Sequence, residues 1–258
     1  MIRKSLIIAN WKMKLSPREA FSLTRSIVPY IRVAAGARSR NSFVICPSFE
    51  SLSCVGMLLK KTPIALGAQD CFWEQSGAYT GEVSPTALKE SGCSYVLVGH
   101  SERRLYCSES DSMIAKKMAA ACETPRLQPI LCIGESLAIR KKGTYRSYIQ
   151  KQLEAGIALI PRTKRVQFCV AYEPLWAIST MGIGLPIGPE HCAEVTTWIK
   201  TLLSQKLPGA HVRIIYGGSV DSENVMPFLQ RGVSDGVLIG GASLTVRSFK
   251  KILTVLNQ

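Results

Sequence analysis

A lysine, a histidine and two glutamates each stand just past a short apolar run, and two glycine pairs follow later runs in the same way. Asn10 and Lys12 come after the run Leu6 to Ala9, His100 and Glu102 after Tyr95 to Val98, and Glu173 after Val166 to Ala171. Gly217-Gly218-Ser219 comes after Val212 to Ile215, and Gly240-Gly241 after Val237 to Ile239. Taken singly, Lys12 reads equally well as a surface lysine and His100 as a satisfied structural histidine. Glu173 is harder to set aside, because a carboxylate between a buried run and the apolar Pro174-Leu175-Trp176 is costly unless its ionisation has a use. The glycine pairs suit a phosphate, since backbone N–H groups at Gly-rich turns form anion sites, although tight turns alone would also account for them. Around one pocket, a carboxylate, a histidine, a lysine and an anion cradle would abstract a proton next to a carbonyl on a phosphorylated substrate.

Something must hold these groups together, and the apolar runs supply it. Besides the five runs above, Phe43 to Cys46, Ile64 to Ala68 and Ile130 to Ile133 make eight candidate strands. Each is continuous instead of alternating, which fits strands buried on both faces of a parallel sheet. Amphipathic segments separate them, opened by Ser16-Pro17, Ser84-Pro85, Asp111 and Gly188-Pro189-Glu190, each a start signal for a helix. Eight strand–helix alternations with no linker or composition shift predict one α/β domain over residues 1–258, a closed (β/α)8 barrel. An open dinucleotide-binding sheet should carry a Gly-rich turn after its first strand, whereas this one runs into Asn10-Trp11-Lys12-Met13, which disfavours a nicotinamide enzyme. In a barrel the chemistry gathers at the C-terminal ends of the strands, where all these polar residues fall.

The 258 residues are 47% hydrophobic and 19% charged, enough for one full core. Nine cysteines with no CxxC pair argue against a disulfide framework or a zinc site, and no metal or cofactor is expected. The first apolar run is too short for a signal segment, and no stretch approaches the roughly 18 apolar residues of a membrane span. The expected location is therefore the cytoplasm, without membrane partners. The net charge of +14 would draw in anionic substrates, but the basic residues are scattered in pairs such as Lys60-Lys61 and Lys250-Lys251, as on solvated helix faces, so a nucleic-acid partner is not expected.

Eight strings settle the family resemblance: NWKM at Asn10, GAQD at Gly67, GAYTGEVSP at Gly77, VGHSERR at Val98, LCIGES at Leu131, AYEPLWAI at Ala171, YGGSV at Tyr216 and GGASL at Gly240. In order and spacing they resemble the triosephosphate isomerases over essentially the whole chain. The resemblance implies interconversion of dihydroxyacetone phosphate and glyceraldehyde 3-phosphate through an enediol or enediolate. It implies that Glu173 is the base, His100 the neutral electrophile, and Lys12 the cation beside developing oxygen charge. Glu102 would pair with that lysine, and Asn10 would help to position substrate. Ser179, Ser219, Gly240 and Gly241 would bind the phosphate through backbone N–H groups. The segment from Gly67 to Pro85 resembles the loop with which family subunits dock, which implies a homodimer with Thr80 near the partner's site.

The stretch after Glu173 departs from that pattern. Where the family lid carries Gly-Thr-Gly-Lys, this chain reads Ser179-Thr180-Met181-Gly182-Ile183-Gly184-Leu185-Pro186-Ile187-Gly188, which is longer and lacks the lysine. Two rival readings follow: an isomerase of a related ketose phosphate such as a tetrulose phosphate, and a non-catalytic barrel with a binding role. The retained Asn10, Lys12, His100 and Glu173 weigh against the second. Lys14 stands where the family usually has asparagine and adds a charge near the site.

Overall fold

The computed structural model describes residues 5–36, 41–161, 167–178, 185 and 187–257. Eight parallel strands close into a barrel in chain order: β1 (Ser5–Asn10), β2 (Asn41–Cys46), β3 (Ile64–Ala68), β4 (Cys93–Val98), β5 (Gln128–Ile133), β6 (Cys169–Tyr172), β7 (Arg213–Tyr216) and β8 (Gly236–Ile239). The helices that return the chain are α1 (Pro17–Ala34), α2 (Leu52–Leu59), α3 (Pro85–Glu90), α4 (Ser101–Tyr106), α5 (Asp111–Glu123), α6 (Leu137–Lys141), α7 (Tyr145–Ile157), α8 (Pro189–Lys206), α9 (Val225–Leu229) and α10 (Val246–Val255). This is the (β/α)8 architecture that the eight apolar runs predict.

Continuous apolar strands follow from a core on both faces. Leu6, Ile8, Val44, Leu97, Ile130, Ala171, Ile215 and Leu238 fill the barrel, while their strand neighbours Ile7, Phe43, Val96, Leu131, Val170 and Ile214 pack outward against the helices. Closure needs β1 and β8 very close together at Gly236, where a β-carbon would stand 2.1 Å from the Leu6 carbonyl oxygen.

The helix starts are fixed by local hydrogen bonds. Ser16 and Glu19 form a capping box at α1, and the Ser84 hydroxyl accepts from Ala87 N–H at the start of α3. At α5 the capping group is Ser110, whose hydroxyl accepts from Met113 N–H, and Asp111 is the first helical residue. The strand edges also differ slightly from the sequence reading. β7 begins at Arg213 and extends to Tyr216, because Tyr216 still pairs with Tyr172 on one side and Val237 on the other. β6 spans Cys169–Tyr172, and Val166 lies outside the described residues.

Among the described residues no helix is long and apolar enough to cross a membrane. No disulfide joins any of the nine cysteines.

Candidate active site

Lys12 sits on left-handed backbone, with φ of 53°, an unusual conformation for a side chain with a β-carbon. Two side chains hold it there: Asn10 Oδ1 accepts from the Lys12 N–H at 3.0 Å, and Gln69 Nε2 donates to the Lys12 carbonyl at 2.9 Å. The ammonium then reaches Glu102 Oε1 at 2.6 Å. Gln69 also donates to the Cys46 carbonyl, so it ties the turn after β1 to the end of β2.

His100 is the residue before α4, and its Nδ1 accepts from the Glu102 N–H at 3.3 Å. A ring that accepts at Nδ1 carries its proton at Nε2, where it can donate toward a substrate oxygen. That Nε2 is 3.5 Å from Glu173 Oε1. Glu173 is almost fully buried, and its Oε2 accepts from the Ser101 N–H at 3.1 Å. Burial, and after it the neighbouring Glu173 carboxylate, push the Cys132 thiol well up, so Cys132 stays protonated beside the carboxylate.

Asn10, Lys12, His100, Ser219, Gly240 and Gly241 line one cavity of about 220 Å³ at the C-terminal ends of the strands. Glu173 faces a neighbouring cavity of about 200 Å³ with Ser101, Cys132 and Leu175. The site residues are therefore brought to the same end of the barrel, with the carboxylate held to one side. Gly217 makes room for it: a β-carbon there would stand 2.7 Å from Glu173 Cγ.

Of the other expected site residues, Ser219 already has a partner for its N–H. The backbone N–H of Ser219 donates to the Ala177 carbonyl at 3.1 Å, so an anion has to displace that bond before this donor can serve it. Ser179 lies outside the described residues, as does most of the long stretch that follows it. Thr80 is exposed on the loop between β3 and α3, whose Phe72 stacks on Trp73 at 4.0 Å and lies 4.7 Å from Tyr79.

Residue-by-residue reading missed Gln69 and Ser101, although both fall inside strings already singled out, GAQD and VGHSERR. It also missed a buried ion cluster at the root of the same loop. Lys117 bonds both oxygens of Asp70, at 2.8 and 2.7 Å, and also Glu109. Arg103 adds 2.9 Å to Asp70 and 2.5 Å to Glu109. Burial raises Asp70 to about 6 against the pull of Lys117 and Arg103. No signal in the separate positions 70, 103, 109 and 117 announces a cluster that only the fold assembles. Among the described residues, no group of three or more His, Cys, Asp or Glu could hold a metal ion.

The fold and this site fit an acid–base enzyme of the (β/α)8-barrel class, with a carboxylate, an imidazole and an ammonium beside a glycine-lined cavity. The family model for triosephosphate isomerase matches residues 5–256. The chain is similar to the triosephosphate isomerase of Dictyoglomus turgidum, with 42% identity over 98% of this chain and 99% of that one. It is 39% identical to that of Caldanaerobacter subterraneus subsp. tengcongensis over the same shares. The crystal structure of triosephosphate isomerase from Bartonella henselae superposes with a TM-score of 0.85 at 32% identity, covering 99% of this chain and 100% of that one. The chain belongs to the triosephosphate isomerase family and is an aldose–ketose isomerase. Neither a tetrulose phosphate isomerase nor a non-catalytic barrel is favoured by these relationships.

Proposed function

We propose that residues 1–258 form one catalytic domain that interconverts dihydroxyacetone phosphate and D-glyceraldehyde 3-phosphate by proton transfer, with Glu173, His100 and Lys12 as the reacting groups. The observation that carries this reading is the 3.5 Å approach of the Glu173 carboxylate to His100 Nε2, beside the cavity that Lys12 shares with the glycine pairs.

In the forward direction the Glu173 carboxylate leaves the Ser101 N–H and takes a proton from C1 of the ketose. The C1 electrons form the C1–C2 double bond of an enediolate, and the carbonyl pair moves onto O2. The Nε2–H of His100 and the Lys12 ammonium face that oxygen, and fixed donors aimed at developing charge are worth far more in a closed site than in water. Protons then pass between O1 and O2 through His100, and Glu173 returns its proton to C2, giving the aldose. Glu102 and Asn10 hold Lys12 for this role. Gly240, Gly241 and, once released from Ala177, Ser219 offer N–H groups to the phosphate. The backbone N–H of Ser179 is proposed as a further donor. The chemistry is proton transfer by side chains and calls for no cofactor.

A homodimer is proposed on the exposure of Met13 (91%), Tyr79 (45%) and the neighbouring Thr80, an apolar and polar surface beside the site that a second copy would cover. Nine cysteines outside disulfides suit a reducing cytoplasm.

Steady-state conversion of glyceraldehyde 3-phosphate by the purified protein and by Glu173→Gln tests the assignment. Turnover in the wild type that falls on the order of 10²- to 10⁴-fold in the variant, with folding intact, is expected of a lost general base. An unchanged rate in the variant rules out Glu173 as the base. Sedimentation equilibrium checks the dimer, which a monomeric mass at micromolar concentration would refute.

A further inference from the structure

The net charge is unevenly placed. Residues 1–61 and 245–258 hold 14 of the 32 Lys and Arg but only two of the 18 Asp and Glu, Glu19 and Glu50, and so carry +12 of the total of +14. Closure of the barrel gathers these separate stretches, because α10 and α2 both pack along α1. Arg18, Arg25 and Arg32 are spaced seven residues apart, which sets them in a row along α1. The buried Ala20, Ile27 and Ala34 form the opposite row, so the arginines point outward. Arg247, Lys250 and Lys251 are exposed on α10, and Lys60-Lys61 just past the end of α2.

Little on this flank neutralises the charge. Among the described residues none of these eight makes an ion pair, whereas Arg103, Arg104, Lys117, Arg146, Lys200 and Lys206 are all paired elsewhere. Arg18 and Arg247 stand in the first turns of α1 and α10, where the helix dipole disfavours a cation, and the first turn of α10 has no acidic residue to offset it. Like charges held close together cost the fold stability, so the cluster points to an anionic partner that repays them. Apolar side chains lie bare among the cations: Val33 is 63% exposed, Met57 59%, and Phe21 stands between Arg18 and Arg25 on α1. The Lys250 ammonium covers the Tyr30 ring at 4.5 Å.

We propose that this flank, formed by α10, α1 and α2, docks on the headgroup layer of an anionic phospholipid membrane. The basic residues meet the charged headgroups, while Phe21, Val33 and Met57 enter the boundary beneath them. A nucleic acid fits less well. Phosphodiesters give aliphatic side chains no partner, and Lys250 already occupies the Tyr30 face on which a base would stack. Two convex rigid bodies also touch over little area, where a fluid bilayer yields. Contact of this kind needs no spanning helix, and on the flank it leaves the mouth at the C-terminal ends of the strands open to substrate.

Cosedimentation with vesicles of equal parts phosphatidylserine and phosphatidylcholine tests the proposal, beside vesicles of phosphatidylcholine alone. The protein should pellet only with the anionic vesicles and be released by concentrated salt, which screens exposed charges. Arg25→Gln, Arg32→Gln, Lys250→Gln and Lys251→Gln combined should weaken binding on the order of 10²- to 10³-fold while the circular dichroism spectrum stays that of the wild type. Lys141→Gln, Lys142→Gln, Lys151→Gln and Arg231→Gln combined remove the same charge from exposed positions on other elements and should leave binding as in the wild type. Equal losses in the two variants would assign the attraction to total charge and overturn the docking face, as would a wild type that fails to pellet. Binding of duplex DNA in place of the vesicles, lost in the first variant alone, would make nucleic acid the partner and overturn the lipid assignment.

Discussion

His100 Nε2 stands 3.5 Å from Glu173 Oε1, while the other oxygen of that carboxylate accepts from the backbone N–H of Ser101, the residue next to His100. The start of α4 therefore orients the imidazole and anchors the carboxylate together. The Glu102 N–H at the same helix start donates to His100 Nδ1. One turn of backbone presets both of the groups proposed to transfer protons, and both must be read as parts of that turn.

The hydrogen bond at Nδ1 yields the first prediction. With Nδ1 occupied as an acceptor, the ring is the Nε2–H tautomer. Two-bond nitrogen–proton correlation spectra of the imidazole-labelled protein should show a pyrrole-type Nε2 and a pyridine-type Nδ1 for His100 near neutral pH. Two pyrrole-type nitrogens would mean that the ring is doubly protonated and that the Glu102 N–H bond is not formed in solution.

Gly217 supplies the second. The side of Gly217 on which a β-carbon would stand faces Glu173 Cγ, and a methyl group there would sit at 2.7 Å, too close for the present rotamer. Gly217→Ala should therefore move the carboxylate by about an ångström and lower kcat on the order of 10²-fold, while KM for the phosphorylated substrate changes little. A KM effect with kcat intact would mean that Gly217 shapes the cavity proposed for the phosphate instead of the proposed base.

The barrel itself was readable because each strand has two buried faces and so appears as an unbroken apolar run; Leu6 to Ala9 and Ile64 to Ala68 are examples. The strand-end rule then led to Asn10, Lys12, His100, Glu102 and Glu173. Relations between side chains far apart in the chain were not readable. Nothing in the pattern around Gln69 says that its amide reaches back to Lys12, and nothing at Ser219 says that its N–H is already bonded to Ala177. The local pattern at Arg213 likewise reads as the edge of a strand, and that its Nε and Nη1 are buried without an acceptor emerges only once eight strands have closed around it.

Lys117 gives the third prediction. It is buried with Asp70 and Glu109, and Arg103 completes the cluster at the root of the loop between β3 and α3. Replacing it with methionine keeps the volume and leaves two buried carboxylates facing one guanidinium. Removing one partner of a buried ion cluster costs about 3–5 kcal/mol, so urea unfolding of Lys117→Met should show a midpoint shifted down by that much stability. A shift under about 1 kcal/mol would place the cluster with exposed ion pairs, which are worth that little.

His191, near the start of α8, yields the last prediction, in pH. Its Nδ1 lies 2.8 Å from Arg140 Nη2, its ring stands edge-on to Trp176 at 6.0 Å, and Glu194 is one helical turn along. Burial first, and then the Arg140 charge, hold the imidazole below its ordinary range against the opposite pull of Glu194. A histidine whose folded pKa is depressed stays neutral in the fold while the unfolded chain takes up a proton from about pH 6.5 downward. Its contribution to stability is thus fully present above about pH 6.5 and is lost as pH falls through the lower, folded value. Glutamine at 191 can still accept from Arg140 but does not titrate. The stability difference between wild type and His191→Gln, from urea unfolding at a series of pH values, should therefore be flat above neutrality and swing in favour of the variant on acidification. A difference that stays constant from pH 8 to pH 5 would show that His191 titrates alike in the folded and unfolded chain, and that Arg140 does not hold it neutral.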